Sequence, residues 1–326
     1  MQSNKFYKKL LSLVIAILVI GGGLFVWQNK WELHDRWVSK SYRVSTDSGE
    51  VLENLDLTAK GELVYKASHT EVDDKDRFKT LCPVELYEEA SVLGCYSSRK
   101  IYVLKVDEPK LAGVEEVTAA HELLHAQFER MSDVEKKELG ELLVQWRGSV
   151  EDEDINRLID SYKKNLSEGE DLNNEIFAIY GTQLKDVGAD LEKVYQEYFK
   201  DRAGIVKMYT QYSSEFKRIE NTVREYDSQL AKLRSEKEEL ERDLTELGNR
   251  LSSQKQDLET LSNSDSVEEY QRLAVDYNAQ VDIYNTKVMR IREVVGQYNA
   301  LVEVRNSEAL SAKDLADTLN ANVEER

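Results

Sequence analysis

The segment TAAHELLHAQF carries the residues best suited to chemistry in this chain of 326 residues. His121 and His125 are four positions apart, so on a helix both imidazoles lie on one face and can reach the same ion. Glu122 lies beside them and can meet a water molecule on that ion. Zinc lowers the pKa of bound water to about 7, and a neighbouring carboxylate can then accept its proton. The spacing therefore predicts one zinc ion per chain, with Glu122 as the general base.

The sequence before the motif supports a hydrolytic site. KIYVLKV, at 100–106, is a β-branched and aromatic run that predicts a strand just ahead of the motif helix. This strand followed by HELLH resembles the edge strand and active-site helix of the zincin metallopeptidases, over roughly residues 60–200. The resemblance implies a third protein ligand further along the chain. It also implies that a peptide substrate adds as an extended strand along 100–106.

The third ligand depends on the branch of the zincins that the chain resembles. Metzincins use a histidine shortly after the motif, but no histidine follows His125. Gluzincins use a glutamate on a second helix, and Glu175 in DLNNEIFAIYG fits that pattern because it follows an asparagine near a predicted helix start. The Asp that follows four residues later in thermolysin-like enzymes is Ile179 here, so no partner that orients a histidine is assigned. The weaker alternatives to Glu175 are Glu170, Asp171 and Asp160.

One further site residue is proposed, and the remaining two histidines are not expected to bind the metal. The resemblance implies a Tyr or His that stabilises the transition state, and Tyr180 is the candidate nearest to Glu175 in the sequence. Glu175 itself has an alternative role as a solvent-facing carboxylate at a helix start. His34 and His69 have no ligand spacing and are expected to be polar surface residues.

Composition narrows the class of protein. The formal net charge is −18, which opposes binding to phosphate backbones, so no nucleic-acid partner is expected. Charged residues make up 33% of the chain and there are 2 prolines, which favours long solvated helices. The 2 cysteines, Cys82 and Cys95, do not form a C-x-x-C motif. A structural disulfide is therefore predicted, with two buried free thiols as the alternative.

Residues 10–27 predict a transmembrane anchor. The stretch LLSLVIAILVIGGGLFVW is uncharged and just long enough to cross a bilayer as a helix. Lysines precede it, which favours a cytoplasmic N-terminus at 1–9 and an extracytoplasmic remainder. A cleavable signal peptide is the alternative, but no A-x-A-like site follows the stretch. We therefore expect a single-pass protein of the cell membrane, with a juxtamembrane linker at 28–45.

Residues 46–204 are predicted to form a small zincin-like α+β domain. Its strand signals are β-branched and aromatic runs at 61–68, 92–96 and 100–106, with a short helix at 72–80. From residue 114 the pattern is helical. The helices expected after the motif helix begin at 133 and then cover 153–166, 171–180 and 189–204.

Residues 205–319 carry two long heptad seams. The first runs from Tyr212 to Leu261 and the second from Tyr270 to Leu319, with apolar residues three and four positions apart. The polar segment LSNSDS at 261–266 separates them. Because the two seams match in length, the sequence predicts an antiparallel coiled-coil hairpin within one chain, not a parallel dimer, followed by a tail at 320–326.

Two functions are compatible with these features. The first is a membrane-anchored, extracytoplasmic zinc peptidase whose coiled coil selects a protein substrate or binds a protein partner. The second is a non-enzymatic surface or scaffold protein that acts through its coiled coil, with a structural zinc domain. Intact His121, Glu122 and His125 favour the peptidase. An intramembrane protease is excluded because HELLH lies in polar sequence, about ninety residues after the apolar stretch.

Overall fold

The computed structural model describes residues 19–23, 26, 29–82, 92–166 and 169–320. Helices make up 78% of the structure, and the described residues contain one small sheet of three strands. The predicted α+β class is therefore wrong, and the fold is a helical one. The chain divides into two compact units, Met1–Ser214 with Leu315–Arg326, and Glu215–Asp314. We call them the HELLH domain and the arm.

The structure does not support the predicted transmembrane anchor. No helix among the described residues is long and apolar enough to cross a membrane. Most of the stretch 10–27 lies outside those residues, as do the segments 1–9 and 321–326. The fold class with a transmembrane helix, and the single-pass location inferred from it, are therefore not supported.

The HELLH domain consists of short helices around one central helix. Its elements are α1 (Lys30–Val38), α2 (Thr46–Asn54), α3 (Ala59–Ala67), β1 (Glu71–Asp73), α4 (Lys75–Leu81), β2 (Gly94–Ser97), β3 (Lys100–Leu104), α5 (Val114–Arg130), α6 (Asp133–Arg147), α7 (Glu153–Asn165), α8 (Glu170–Gln183) and α9 (Gly188–Tyr195). The long helices are α10 (Arg202–Ser262) and α11 (Val267–Thr318). The division into units falls within both of them, so the first residues of α10 and the last of α11 belong to the HELLH domain.

The sheet has the strand order β1-β3-β2, with β1 parallel and β2 antiparallel to β3. Ser98 and Arg99 have positive φ and form the tight turn between β2 and β3. Strand β3 lies in the centre of the sheet, so the prediction that 100–106 is the substrate edge is wrong. The edge strand that packs against α5 is β2.

One predicted strand, at 61–68, is a helix. The Thr58 side chain accepts a hydrogen bond from the Gly61 amide and caps the start of α3. Val64 and Tyr65 are buried, and a side chain at Gly61 would collide with the backbone carbonyl of Tyr198. Glycine at 61 therefore lets α3 pack against a segment that is distant in the sequence. That contact cannot be inferred from the local pattern.

The helix predicted at 72–80 begins later than expected, at Lys75. Strand β1 occupies the preceding residues, and the Asp74 side chain caps α4 by accepting from the Arg77 amide at 3.0 Å. Cys82, at the end of α4, forms a disulfide with Cys95 in β2, as predicted. The disulfide therefore connects α4 to the edge strand that packs against α5.

The expected linker at 28–45 contains helix α1, which is tied to α5 by a buried ion pair. Arg130 donates through Nε to Asp35 Oδ2 at 2.7 Å and through Nη2 to Asp35 Oδ1 at 3.1 Å. Its Nη1 donates to the Ala126 carbonyl at 2.7 Å. Both charged side chains are less than 5% exposed. Each is compensated by the other, so loss of one leaves an uncompensated buried charge.

The arm has the predicted antiparallel arrangement. The seam residues from Tyr212 to Leu319 are buried or half-buried, apart from Tyr270 near the turn and Ala316 near the end of α11. Three ion pairs join the two helices: Lys287–Asp243 at 2.6 Å, Arg290–Glu236 at 2.7 Å and Arg305–Asp227 at 3.0 Å. The later a residue lies in α11, the earlier its partner lies in α10, which is the pattern of antiparallel helices. These pairs fix the register in which the two seams meet.

Replacing Asp35 with alanine should destabilise the HELLH domain by about 3–5 kcal/mol, because Arg130 would stay buried without its partner. The matched control is Glu32→Ala on the same helix. It removes the exposed Glu32–Arg36 pair and should cost about 0.5 kcal/mol or less. Urea unfolding of both variants measures the difference. Equal losses in the two would show that the Asp35–Arg130 pair has no special role.

Candidate metal centre

Helix α5 carries HELLH through the middle of the HELLH domain. Ala119, Ala120, Leu123 and Leu124 are completely buried on it. His121 and His125 lie at the margin of this core, with side chains 18% and 11% exposed. Burial of this apolar face sets the orientation of α5 about its own axis. In that orientation both imidazoles are partly accessible to solvent.

Helix α8 brings a carboxylate to the two histidines. It approaches α5 closely at Gly181, where a side chain would collide with Leu124. The sequence predicted a helix end at Gly181, but the structure has this glycine inside α8. The close approach puts Glu175, six residues earlier on α8, beside the histidines.

His121, His125 and Glu175 form one group of potential ligands. The two Nε2 atoms are 3.0 Å apart. Glu175 Oε2 lies 3.8 Å from His121 Nε2, and Glu175 Oε1 lies 3.6 Å from His125 Nε2. Among the described residues, this is the single group of three or more His, Cys, Asp or Glu side chains arranged to hold an ion.

The group fits zinc by both chemistry and distance. Imidazole nitrogen and carboxylate oxygen are ordinary zinc ligands with bonds of about 2.0–2.2 Å, so tetrahedral ligand atoms lie about 3.3 Å apart. The observed separations of 3.0, 3.6 and 3.8 Å lie around that value. Small side-chain movements would be enough to bring the three ligand atoms around one ion.

His125 has a hydrogen-bonding partner that sequence analysis did not assign. Its Nδ1 lies 3.0 Å from Asn174 Oδ1, on the residue just before Glu175. Because an amide oxygen can only accept, Nδ1 carries the proton and Nε2 keeps its lone pair for a metal. In the sequence, this asparagine is evident only as the residue that precedes Glu175. The sequence feature that could have indicated this hydrogen bond is the position of Asn174 next to Glu175, near the start of the same helix.

Glu122 points away from solvent, beneath the edge strand. It is 7% exposed, and a Cβ added at Gly94 would lie 3.0 Å from its Cγ and 2.5 Å from Thr118 Cγ2. Burial, with a smaller contribution from the Glu175 carboxylate, raises the pKa of Glu122 to about 7. The electrostatic interaction with His125 and the hydrogen bond from the Tyr96 backbone amide act in the opposite direction. The absence of a side chain at Gly94 therefore lets β2 cover this carboxylate closely.

The pKa of Glu175 is shifted in the opposite direction from that of Glu122. Burial would raise its pKa, but the interactions with His125 and the hydrogen bond from His121 together outweigh burial, so the pKa of Glu175 lies below its usual value. Glu175 is thus an ionised carboxylate facing two imidazoles, which is the state a metal ligand requires.

The other predicted candidates lie elsewhere. Tyr180 is buried in the core about 140° round α8 from Glu175, and no hydrogen-bond partner for its hydroxyl is found among the described residues. Burial raises its pKa to about 12, and it is not part of the ligand group. Of the remaining residues, Glu170 pairs with Lys136, Asp160 pairs with Lys163, Asp171 is exposed, His34 is partly exposed, and His69 stacks on Tyr42.

No family model, curated protein or solved structure matches this chain. The resemblance to zincins therefore rests on HELLH, the preceding strand and the position of Glu175.

Replacing Glu175 with alanine should weaken zinc binding by well over 100-fold, because a direct ligand contributes more than the residues that orient it. The control is Glu170→Ala, which removes a carboxylate from the same helix and leaves the ligand group intact. Competition with a chromophoric chelator measures both affinities. If Glu170→Ala lost zinc while Glu175→Ala kept it, the ligand assignment would be wrong.

Replacing Asn174 with alanine should weaken zinc binding by a smaller factor, about 10–100-fold, because the His125 ring loses its fixed orientation. Asn174→Asp keeps an acceptor oxygen at this position and should retain most of the affinity. The exposed Asp171→Ala on the same helix is the control. Unchanged affinity in Asn174→Ala would mean that the hydrogen bond does not hold His125 for the metal.

Proposed function

We propose that the protein is a zinc-dependent peptidase. The observation that carries the proposal is the group of His121, His125 and Glu175 with the buried Glu122 carboxylate beside it. Glu122 is the next residue along α5 after a ligand, and its carboxylate interacts with both His125 and Glu175. A carboxylate that is near the ion but outside the ligand group is available for proton transfer.

The number of ligands favours a catalytic ion over a structural one. Structural zinc sites are closed by four protein ligands, whereas catalytic sites use three and leave a position for water or substrate. Within the described residues, the group contains three protein ligands. This count supports the peptidase over a protein in which zinc only stabilises the fold.

The residues have separate roles in the proposed reaction. A bound zinc ion supplies a Lewis acid that lowers the pKa of a water molecule to about 7. The Glu122 carboxylate accepts a proton from the water as the oxygen attacks the peptide carbonyl carbon. Glu122 then returns the proton to the amide nitrogen as the C–N bond breaks, giving a carboxylic acid and an amine. Asn174 keeps the His125 ring in position throughout.

The small sheet supports a peptide as the substrate. Strand β2 lies at the sheet edge and packs against α5 next to Glu122. An edge strand can bind an extended peptide through backbone hydrogen bonds, largely independently of the side chains. A peptide aligned with β2 would pass close to α5, which gives the sheet a role in binding substrate as well as in covering Glu122.

Glu122→Gln should bind zinc with unchanged affinity and lose peptide hydrolysis by about 10²–10⁴-fold, because glutamine keeps the shape but cannot accept the proton. The test compares cleavage of an unfolded protein substrate by the zinc-loaded variant and wild type. Glu138→Gln, an exposed position on α6, is the matched control and should keep full activity.

Two results would count against the proposal. Cleavage by Glu122→Gln at the wild-type rate would remove the general base. A wild-type protein that binds zinc stoichiometrically but cleaves no substrate in a diverse peptide library would remove the peptidase itself.

A further inference from the structure

Strand β2 has one edge with which no strand among the described residues pairs. The register identifies the backbone groups on that open edge. Leu104 donates its amide hydrogen to the opposite Leu93 carbonyl at 2.8 Å. Residues along an antiparallel strand alternate between bonding the neighbouring strand and pointing away from it. Cys95 therefore bonds β3, whereas Gly94 and Tyr96 direct their backbone groups to the open edge.

The bonds on the other side of β3 give the same result. Ile101, which lies opposite Tyr96, donates its amide hydrogen to the Ser68 carbonyl at 3.0 Å. That bond points away from β2, as expected for a residue opposite an outward-facing one. The Tyr96 amide therefore belongs to the open edge, where an added extended peptide would form its hydrogen bonds.

The carboxylate of Glu122 occupies this edge. It accepts a hydrogen bond from the Tyr96 amide, and a Cβ added at Gly94 would lie 3.1 Å from Glu122 Oε1. A peptide residue placed antiparallel opposite Tyr96 would exchange two backbone hydrogen bonds with it. Peptide and carboxylate would then compete for the same amide hydrogen.

Strand β2 is held in place by more contacts than the Glu122 carboxylate. The Tyr96 hydroxyl donates to Glu129 on α5, Cys95 belongs to the disulfide, and a tight turn joins β2 to β3. The Glu122 carboxylate can move by rotation about its own side-chain bonds, while α5 stays fixed by its buried face. Competition should therefore displace the carboxylate and leave the strand where it is.

We propose that Glu122 occupies the open edge of β2 in the free protein, and that an extended peptide backbone releases its carboxylate by taking over the Tyr96 amide. The inference rests on the proposed peptidase function, in which the released carboxylate serves as the general base. It also defines the class of substrate. An unfolded segment long enough to pair with β2 releases Glu122, whereas an amino-acid amide without flanking residues leaves it bound to Tyr96.

Amide hydrogen exchange in the full chain, kept free of zinc by chelation, tests the contact itself. The Tyr96 amide should be protected in the wild type, and its exchange should become at least about tenfold faster in Glu122→Ala, which has no acceptor. The Cys95 amide, which bonds β3, is the internal reference and should keep its protection. Unchanged exchange at Tyr96 would show that Glu122 does not hold this amide and would overturn the proposal.

Peptide affinity of the same zinc-free chain tests the competition in the absence of cleavage. The probe is fluorescently labelled, oxidised insulin B chain, an unfolded polypeptide, and anisotropy measures its binding. Glu122→Ala should bind it about tenfold more tightly than wild type, because no charged acceptor has to be displaced. Glu122→Gln should lie between the two, since its neutral amide oxygen is a weaker acceptor than a carboxylate.

The matched control is Glu115→Ala. Glu115 is another carboxylate on α5 that accepts from a backbone amide, that of Val106 at 2.7 Å, but this amide follows β3 and is not on the open edge. Its loss should leave peptide affinity unchanged. Equal affinities of wild type and Glu122→Ala, or no binding of the peptide to either, would overturn the proposal.

The two proposals can fail separately. If the wild type cleaves no peptide but Glu122→Ala still binds the probe more tightly, the peptidase function is wrong and the competition for the Tyr96 amide is real. If the wild type cleaves peptides and the affinities are equal, the peptidase function stands and the release of Glu122 by substrate is refuted.

Discussion

The close approach of α8 to α5 is the constraint on which the candidate site depends. The two histidines share a face of α5 because of their spacing, but Glu175, the third potential ligand, comes from a different helix. The glycine at 181 allows that helix to lie against Leu124. A larger side chain at this position would separate the helices and move Glu175 away from the imidazoles. Packing and metal chemistry therefore depend on the same short segment of α8.

The sheet contributes to the site although it is small. It covers Glu122 through Gly94, and the backbone amide of Tyr96 binds the carboxylate. A buried carboxylate without a partner is costly, so the edge strand both encloses Glu122 and compensates part of its burial. The disulfide through Cys95 connects this strand to α4. Three strands are sufficient for this role, which explains how a fold that is mostly helical can keep an edge strand next to HELLH.

Local features were predictable from the sequence, and contacts between distant segments were not. The helix bearing HELLH, the long helices of the arm and the disulfide follow from spacing and composition. The strand predicted at 61–68 is a helix because Gly61 meets the backbone of Tyr198, which no local pattern reveals. Strand order likewise depends on which segments pair, and pairing on both sides makes β3 the central strand. Tyr180 is near Glu175 in the sequence, but the rotation of α8 places its side chain in the core.

The arm shows the same limit in a different form. A heptad search finds the seam between α10 and α11 because apolar residues recur three and four positions apart. It does not find which charged residues cross between the two helices. The pairs Lys287–Asp243, Arg290–Glu236 and Arg305–Asp227 depend on the register in which the seams meet, and each joins residues more than forty positions apart in the sequence.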